Sequence, residues 1–377
     1  MTDSVSNQEH EALLALGHLP QIGPTRGRRL IHLCGSAQQA IAAPTAVWEE
    51  ALGGAVVQRL QRHVHQPHSI RWSQEELRRL GDLGGELIGW GDADYPAWLA
   101  QIDDPPLALY ALGNRQLLQP PAVAIVGSRR CSSYGRRASV SLAGDLAGCG
   151  VTIVSGLARG IDGAAHEGAL RVGGATIGVL GCGVDVTYPR EHRRLQRQVQ
   201  RDGLLLAEAP LGTPPEGRGF PKRNRIVSGL ALAVIVVEAP QRSGALMTAR
   251  LAREQGRDVF AVPGEITNPR CAGCLALLRD GAGLVRTAQD VIDELEVHLP
   301  KASIAVAGAP LSQGDDLFGP AGSGATLLDA LTSGEHGVEA LARQVGQSID
   351  VVQQALLRLE LSGQVVRLPG QRYARAS

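Results

Sequence analysis

Lysine is almost missing from this 377-residue chain: of 37 basic side chains only Lys222 and Lys301 are lysine, and the rest are arginine. The bias fits a GC-rich coding sequence and excludes no function by itself. It does leave nearly every cation with the flat donor fork that grips phosphate and carboxylate bidentately. Net charge is missing too. Acidic residues also number 37, so no global basic field attracts nucleic acid and any polyanion site must be local. No run of 18 apolar residues occurs, which excludes a membrane-spanning helix. The N-terminus lacks a leader-like pattern, and the six cysteines (Cys34, Cys131, Cys149, Cys182, Cys271 and Cys274) form no framework; reduced thiols in the cytoplasm are the expectation. Cys271 and Cys274 make one CxxC, but neither a second pair nor a His pair stands at zinc-site spacing, so neither metal nor cofactor is expected. Aromatic residues are 3% of the chain and phenylalanine occurs three times.

What is present is an ordinary globular balance, 44% hydrophobic and 20% charged, in a chain too long for a single core. From about Glu9 to His65 the pattern is helical, broken by the turn Leu19-Pro-Gln-Ile-Gly-Pro24. Two short helices around a glycine turn resemble a helix-hairpin-helix or SAM-like element, or a small packing domain. Between Glu86 and Asn114, short apolar runs punctuated by proline read as strands or extended segments leading into a core.

From Val123 onward, apolar runs alternate with helical segments: Val123–Val126, Val151–Val154, Ala175–Leu180, Leu204–Ala207, Leu232–Val237 and Val259–Val262. Near-continuous Val/Ile/Leu strands spaced by helices predict an α/β fold, a parallel sheet covered on both faces. Gly127, Gly156 and Gly181 follow the first three runs and mark turns at the carboxyl edge, where such sheets bind ligands. Lys301 to Gly324 reads as a linker rich in Ala, Gly, Ser and Pro. The tail reads as helices over Leu327–Leu331, Val338–Val345 and Ile349–Leu361, then a hairpin, the order of a winged helix. Its third helix mixes Asp350, Arg358 and Glu360, too mixed in charge for a clear recognition helix. The expected domains are therefore 1–68, 69–299, a linker 300–324, and 325–377.

Four segments carry the chemistry. Val123-Ala-Ile-Val-Gly-Ser-Arg129 runs a buried strand into Gly127, Ser128 and Arg129 before a helix, so helix-start amides and a guanidinium would face an anion. Val154-Ser-Gly-Leu-Ala-Arg-Gly-Ile-Asp162 repeats the device with Ser155 and Gly156; Asp162 and His166 read as a cap carboxylate paired to a helical histidine. Phe220-Pro-Lys-Arg-Asn-Arg-Ile226 sets Lys222, Arg223, Asn224 and Arg225 beside an aromatic, the combination that stacks a base while holding phosphates. Glu238-Ala-Pro-Gln-Arg-Ser-Gly244 adds Ser243 and Gly244 at a further turn. Gly178-Val-Leu-Gly-Cys-Gly183 has the wrong spacing for a dinucleotide fingerprint.

These motifs, with Tyr188-Pro189, Thr248-Ala249 and Gly256-Arg-Asp-Val-Phe-Ala-Val-Pro-Gly264, resemble the DprA (Smf) family of DNA-processing proteins over roughly residues 86 to 286. The resemblance implies an extended Rossmann-like core and a homodimer. It implies a non-catalytic protein that binds and protects incoming single-stranded DNA and loads the RecA recombinase during natural transformation. It places the basic pocket on Arg129, Lys222, Arg223 and Arg225, lined by Gly127, Ser128, Ser155, Gly156 and Asn224, with Phe220 stacking. His192 stands where the family often has Asn, and Leu275 follows Gly273-Cys274 where Asn is usual, which leaves the 271–278 loop open as a contact. A nucleotide-processing enzyme related to the phosphoribohydrolases is the alternative, but the chain has Val262-Pro-Gly-Glu-Ile-Thr267 in place of their Pro-Gly-Gly-x-Gly-Thr loop. A winged-helix transcription regulator with a ligand-sensing core is a third.

Overall fold

The N-terminal helices form because apolar residues recur at helical spacing and Gly and Pro stop them. In the computed structural model these are α1 (Thr2–His18), α2 (Pro24–Cys34), α3 (Ala37–Ala42), α4 (Thr45–Leu52), α5 (Gly54–Leu60) and α6 (Pro67–Asp82). The structure describes residues 2–60, 67–217, 219–295 and, in the tail, 330–331, 336–346, 349, 352–353, 356, 359, 365–368 and 372–375. Pro24 opens α2 at the position where its fixed φ suits the first helical turn, and Gly35, at φ 91, ends it in the left-handed region. Leu13, Leu16, Leu30, Trp48 and Leu60 make the buried cluster of these helices. Leu14, on the same α1, packs instead with Leu80, Tyr110 and Leu205 under the sheet. Helix α1 thus serves two cores, and residues 1–308 form one compact unit; residues 309–377 form another.

The core sheet is built from β1 (Glu86–Gly89), β2 (Ala108–Gly113), β3 (Ala122–Val126), β4 (Thr152–Ser155), β5 (Thr176–Leu180), β6 (Leu204–Ala207), β7 (Ala233–Val236), β8 (Asp258–Ala261) and β9 (Gly283–Leu284), in the order β1-β2-β6-β5-β4-β3-β7-β8-β9. Strands β3 to β9 are mutually parallel, while β1 and β2 add an antiparallel edge beside β6. The α/β expectation holds, and each expected run lies within a residue or so of a strand. Alternation explains the covering on both faces: Val123 and Ile125 point into one cluster, Ala124 and Val126 into the opposite one. Each fully buried Val or Ile there stabilises the fold by roughly 1.5–3 kcal/mol.

The helices flanking the sheet are α7 (Ala97–Ala100), α8 (Ser133–Gly148), α9 (Ile161–Arg171), α10 (Arg193–Asp202), α11 (Gly219–Gly229), α12 (Gly244–Glu254), α13 (Ala272–Arg279) and α14 (Ala288–Leu295). From β3 the chain winds outward through β4 and β5 to β6; from β7 it winds the other way to β9. The order reverses between β3 and β7, and the loops leaving their carboxyl ends must part there, opening a crevice.

In the tail, α15 (Val338–Val345) matches the expected helix, and β10 (His336–Gly337), β11 (Val365–Leu368) and β12 (Arg372–Arg375) form a small sheet. Leu341, Val352, Leu356 and Tyr373 are buried together. The expected linker, the helix at Leu327–Leu331 apart from Ala330 and Leu331, and Asp350, Arg358 and Glu360 lie outside the described residues.

Candidate nucleic-acid interface

The crevice at the β3/β7 switch is a cleft of about 660 Å³, walled by the turns after β3, β4 and β7, the start of α11, and Arg270. Several of its amides are already committed. The N–H groups of Gly127 and Ala158 donate to the Asp162 carboxylate. Ser128 N donates to the Glu238 carbonyl at 2.7 Å. Ser132 donates to Glu238 Oε2 through its N at 2.8 Å and its Oγ at 3.0 Å, and Arg130 N donates to Ser128 Oγ at 3.1 Å. At Gly127, Ser128 and Ala158 the expectation of amides open to a phosphate is therefore corrected. Buried N–H groups must find partners within the fold, and two buried acids, Asp162 and Glu238, supply them.

Arg223 holds the floor. It is 7% exposed, and its Nη1 donates to the carbonyls of Gly156 at 2.5 Å and Val179 at 2.7 Å, tying the ends of β4 and β5 together. A Cβ on Gly156 would lie 2.2 Å from this guanidinium, so any larger residue there would displace Arg223 from its carbonyl partners. Burial pushes the Asp162 carboxyl up from its ordinary value; the charge of Arg223 opposes that shift. Beside it Leu157 takes φ 54, a left-handed conformation unusual for a residue with a Cβ. Its carbonyl accepts a hydrogen bond from His192 Nδ1 at 2.9 Å, so the histidine that departs from the family pattern braces this turn.

Exposed cations stand at the mouth instead. Arg129, Arg130, Arg242 and Arg270 line the cleft and are exposed. The Arg129 guanidinium lies 4.9 Å from the Phe220 ring centroid, and the Tyr188 ring is 5.5 Å from it on centroids. Phe220 is half-buried at the cleft wall with Arg129 over one face. Asn224 reaches Gly244 O at 3.5 Å, joining α11 to α12, and Ser243 caps α12 by accepting from Ala245 N at 3.2 Å.

Of the expected site residues, the structure brings together Gly127, Ser128, Arg129, Gly156, Phe220, Arg223, Asn224, Ser243 and Gly244. Three stand elsewhere. Ser155 is buried and its Oγ donates to Ile125 O at 2.6 Å, back into the sheet. Arg225 is turned away: Nε meets Asp104 at 3.1 Å and Nη2 meets Glu208 at 2.6 Å, with its side chain 9% exposed. Lys222 is exposed but lines a neighbouring recess of about 500 Å³. Consecutive helical residues diverge by about 100°, so a four-residue basic cluster cannot all face one cleft. Arg130, Arg242 and Arg270 were not singled out from the sequence; Arg270 lies in the loop after β8, far along the chain from Arg129, and only the signal of an arginine after successive strand ends could have found it.

The expected Asp162–His166 pair is also corrected. His166 is fully buried and donates from Nδ1 to Thr176 Oγ1 at 2.7 Å, the hydroxyl passing its own proton to Ile153 O. Burial, with the nearby charges of His192 and Arg223, pushes its pKa down to about 3. The unfolded chain therefore binds this proton first. The stability that neutral His166 contributes is complete above about pH 6.5 and declines by about 1.4 kcal/mol per pH unit as pH falls from there toward 3. Urea unfolding of the wild type and of His166→Asn between pH 7.5 and 5 should show the wild type losing stability more steeply; parallel curves would contradict the assignment.

With the cleft in view, the comparisons identify the chain. Residues 86–296 match the model of the DNA recombination-mediator protein A family, and residues 317–371 match the DprA winged helix domain. The chain belongs to the DprA (Smf) family. Protein Smf of Escherichia coli K12 is 43% identical over 326 residues, covering 84% of each chain. The DNA processing protein DprA of Streptococcus pneumoniae is 48% identical over 205 residues, 54% of this chain and 72% of that one. The X-ray structure of the pneumococcal DprA superposes with a TM-score of 0.67 at 36% identity, covering 76% of this chain and 97% of that one. A Helicobacter pylori DprA, whose structure addresses its single-stranded DNA binding mode, gives a TM-score of 0.52 at 32% identity over 57% of this chain and 97% of that one. The family is one of DNA-processing proteins, and its extended Rossmann core and C-terminal winged helix are the architecture of this chain. Among the described residues no helix is long and apolar enough to cross a membrane.

Proposed function

We propose that the chain binds single-stranded DNA in the β3/β7 cleft without cutting it, as a cytoplasmic homodimer that shelters an incoming strand and passes it to the RecA recombinase in natural transformation. The carrying observation is the ring of exposed arginines, Arg129, Arg130, Arg242 and Arg270, around the half-buried Phe220. Cations with an aromatic grip backbone and base without regard to sequence. The acids at the floor support binding over hydrolysis: Asp162 is held by Gly127 and Ala158, and Glu238 Oε2 by Ser132. The partner biology follows the family alone.

Titration with single-stranded and duplex oligonucleotides, run beside a nuclease and nucleotide-hydrolysis assay, tests this reading. Preference for the single strand with no turnover is expected; tighter duplex binding, or turnover lost on mutating Asp162, would overturn it. Phe220→Ala adds a finer prediction. Stacking is worth roughly 1–3 kcal/mol per base and releases no counterion, so affinity should fall by about tenfold while the salt dependence stays the same. A folded variant of undiminished affinity would remove the stacking role.

A further inference from the structure

We propose a second polyanion site on this chain: an arginine stripe along α10 that takes the strand as it leaves the cleft. The inference rests on the cleft reading above and extends it. The short turn before α10 and the helix itself carry Arg190, Arg193, Arg194, Arg197 and Arg201, all exposed, spaced three and four apart so that they follow one face. The opposite face buries Leu195, Gln196 and Val199 against the sheet.

Among the described residues the acids nearby are spent. Glu191 pairs with Arg159, and Asp202 pairs with Arg201 at 2.6 Å. Arg190, Arg193, Arg194 and Arg197 have no ion-pair partner among the described residues, a local excess in a chain whose charges balance overall at 37 each. Helix stability does not account for them. Arg193 and Arg194 open the helix and no acid stands in its first turn, whereas the helix dipole disfavours cations at that end by a few tenths to about 1 kcal/mol each. An anion bound along the stripe reverses that sign.

Continuity with the cleft selects a nucleic-acid strand over an acidic peptide. Tyr188, just before the stripe, has its ring 5.5 Å from Phe220 on centroids, and His192 within it bonds Leu157 O at 2.9 Å beside the cleft wall. Because α10 leads to the start of β6, the stripe descends from the carboxyl edge of the sheet toward its amino edge. The helix is 10 residues long, roughly 15 Å at 1.5 Å per residue. That accommodates about four nucleotide steps at the 3.4 Å rise of a stacked strand.

The test uses the full chain with Arg190, Arg193, Arg194 and Arg197 each replaced by Gln, which keeps the helix propensity and removes the charge. Binding of poly(dT) of about 6 nucleotides, enough for the cleft alone, and of about 30 nucleotides is measured at several salt concentrations. The variant should bind the short oligonucleotide like the wild type. It should bind the long one at least tenfold more weakly, with the slope of log affinity against log salt reduced by about 2 to 3, at roughly 0.7 per lost phosphate contact. Unchanged affinity and slope for the long oligonucleotide overturn the stripe and leave the cleft reading standing. If the short oligonucleotide fails to bind the wild type, the cleft reading fails, and a long-oligonucleotide loss in the Gln variant still supports the stripe as a site of its own. Loss of binding to polyglutamate with DNA binding intact overturns the proposal in favour of an acidic protein partner.

Discussion

Replacing Arg129, Arg242 and Arg270 together by alanine should weaken single-strand binding by roughly a thousandfold and lower the salt slope by about 2. All three side chains are exposed at the cleft mouth, so the fold should survive. A hydrogen bond to a charged group is worth about 1.5 kcal/mol at the low end; three of them make about 4.5 kcal/mol, or three decades at 1.4 kcal/mol each. Each lost phosphate contact also withdraws about 0.7 from the slope on single strands. Affinity measured at several salt concentrations, with circular dichroism as the check on folding, reads both quantities. A folded triple variant with an unchanged slope would move the phosphates away from this cleft.

The second large effect is on stability. Arg223→Ala should destabilise the core by about 3–5 kcal/mol, the usual cost of stripping a buried charge of its partner. It removes the positive charge that most favours the ionised Asp162 and takes the Nη1 donor from the carbonyls of Gly156 and Val179. Arg225→Ala acts the same way on Glu208 and Asp104 but more weakly, because Asp104 is 48% exposed and water can replace the guanidinium. Urea unfolding separates the two variants. Whatever Arg225→Ala protein remains folded should keep the wild-type salt slope, since that guanidinium faces carboxylates and not the cleft. A stability change within 1 kcal/mol for Arg223→Ala, or a flattened slope for Arg225→Ala, would return these residues to the phosphate-binding set.

Three cations in one motif show where reading the residues stops. Lys222 to Arg225 look alike on the page as a basic cluster beside an aromatic, yet helical rotation sends Arg223 into the floor, Arg225 to an ion pair and Lys222 to another recess. The amide at Gly127 was legible as a helix-start donor; that Asp162 takes it was not, because the carboxylate arrives from the turn after a different strand. Antiparallel β1 and β2 were legible only as extended segments, since proline-broken runs give no direction or neighbour.

The sequence by itself determined the local features, because they depend on neighbours along the chain. Continuous apolar runs spelled buried parallel strands, glycines after them spelled the turns at the carboxyl edge, and the combined motifs spelled the family. Tertiary structure alone decided which charges meet solvent and which meet each other. Arg270 joins Arg129 across a strand-order reversal, Glu238 closes the turn before α8, and His192 bonds Leu157 from 35 residues away. Burial and pairing energies are set by distances between residues remote in sequence, and a string of residue types contains no such distances.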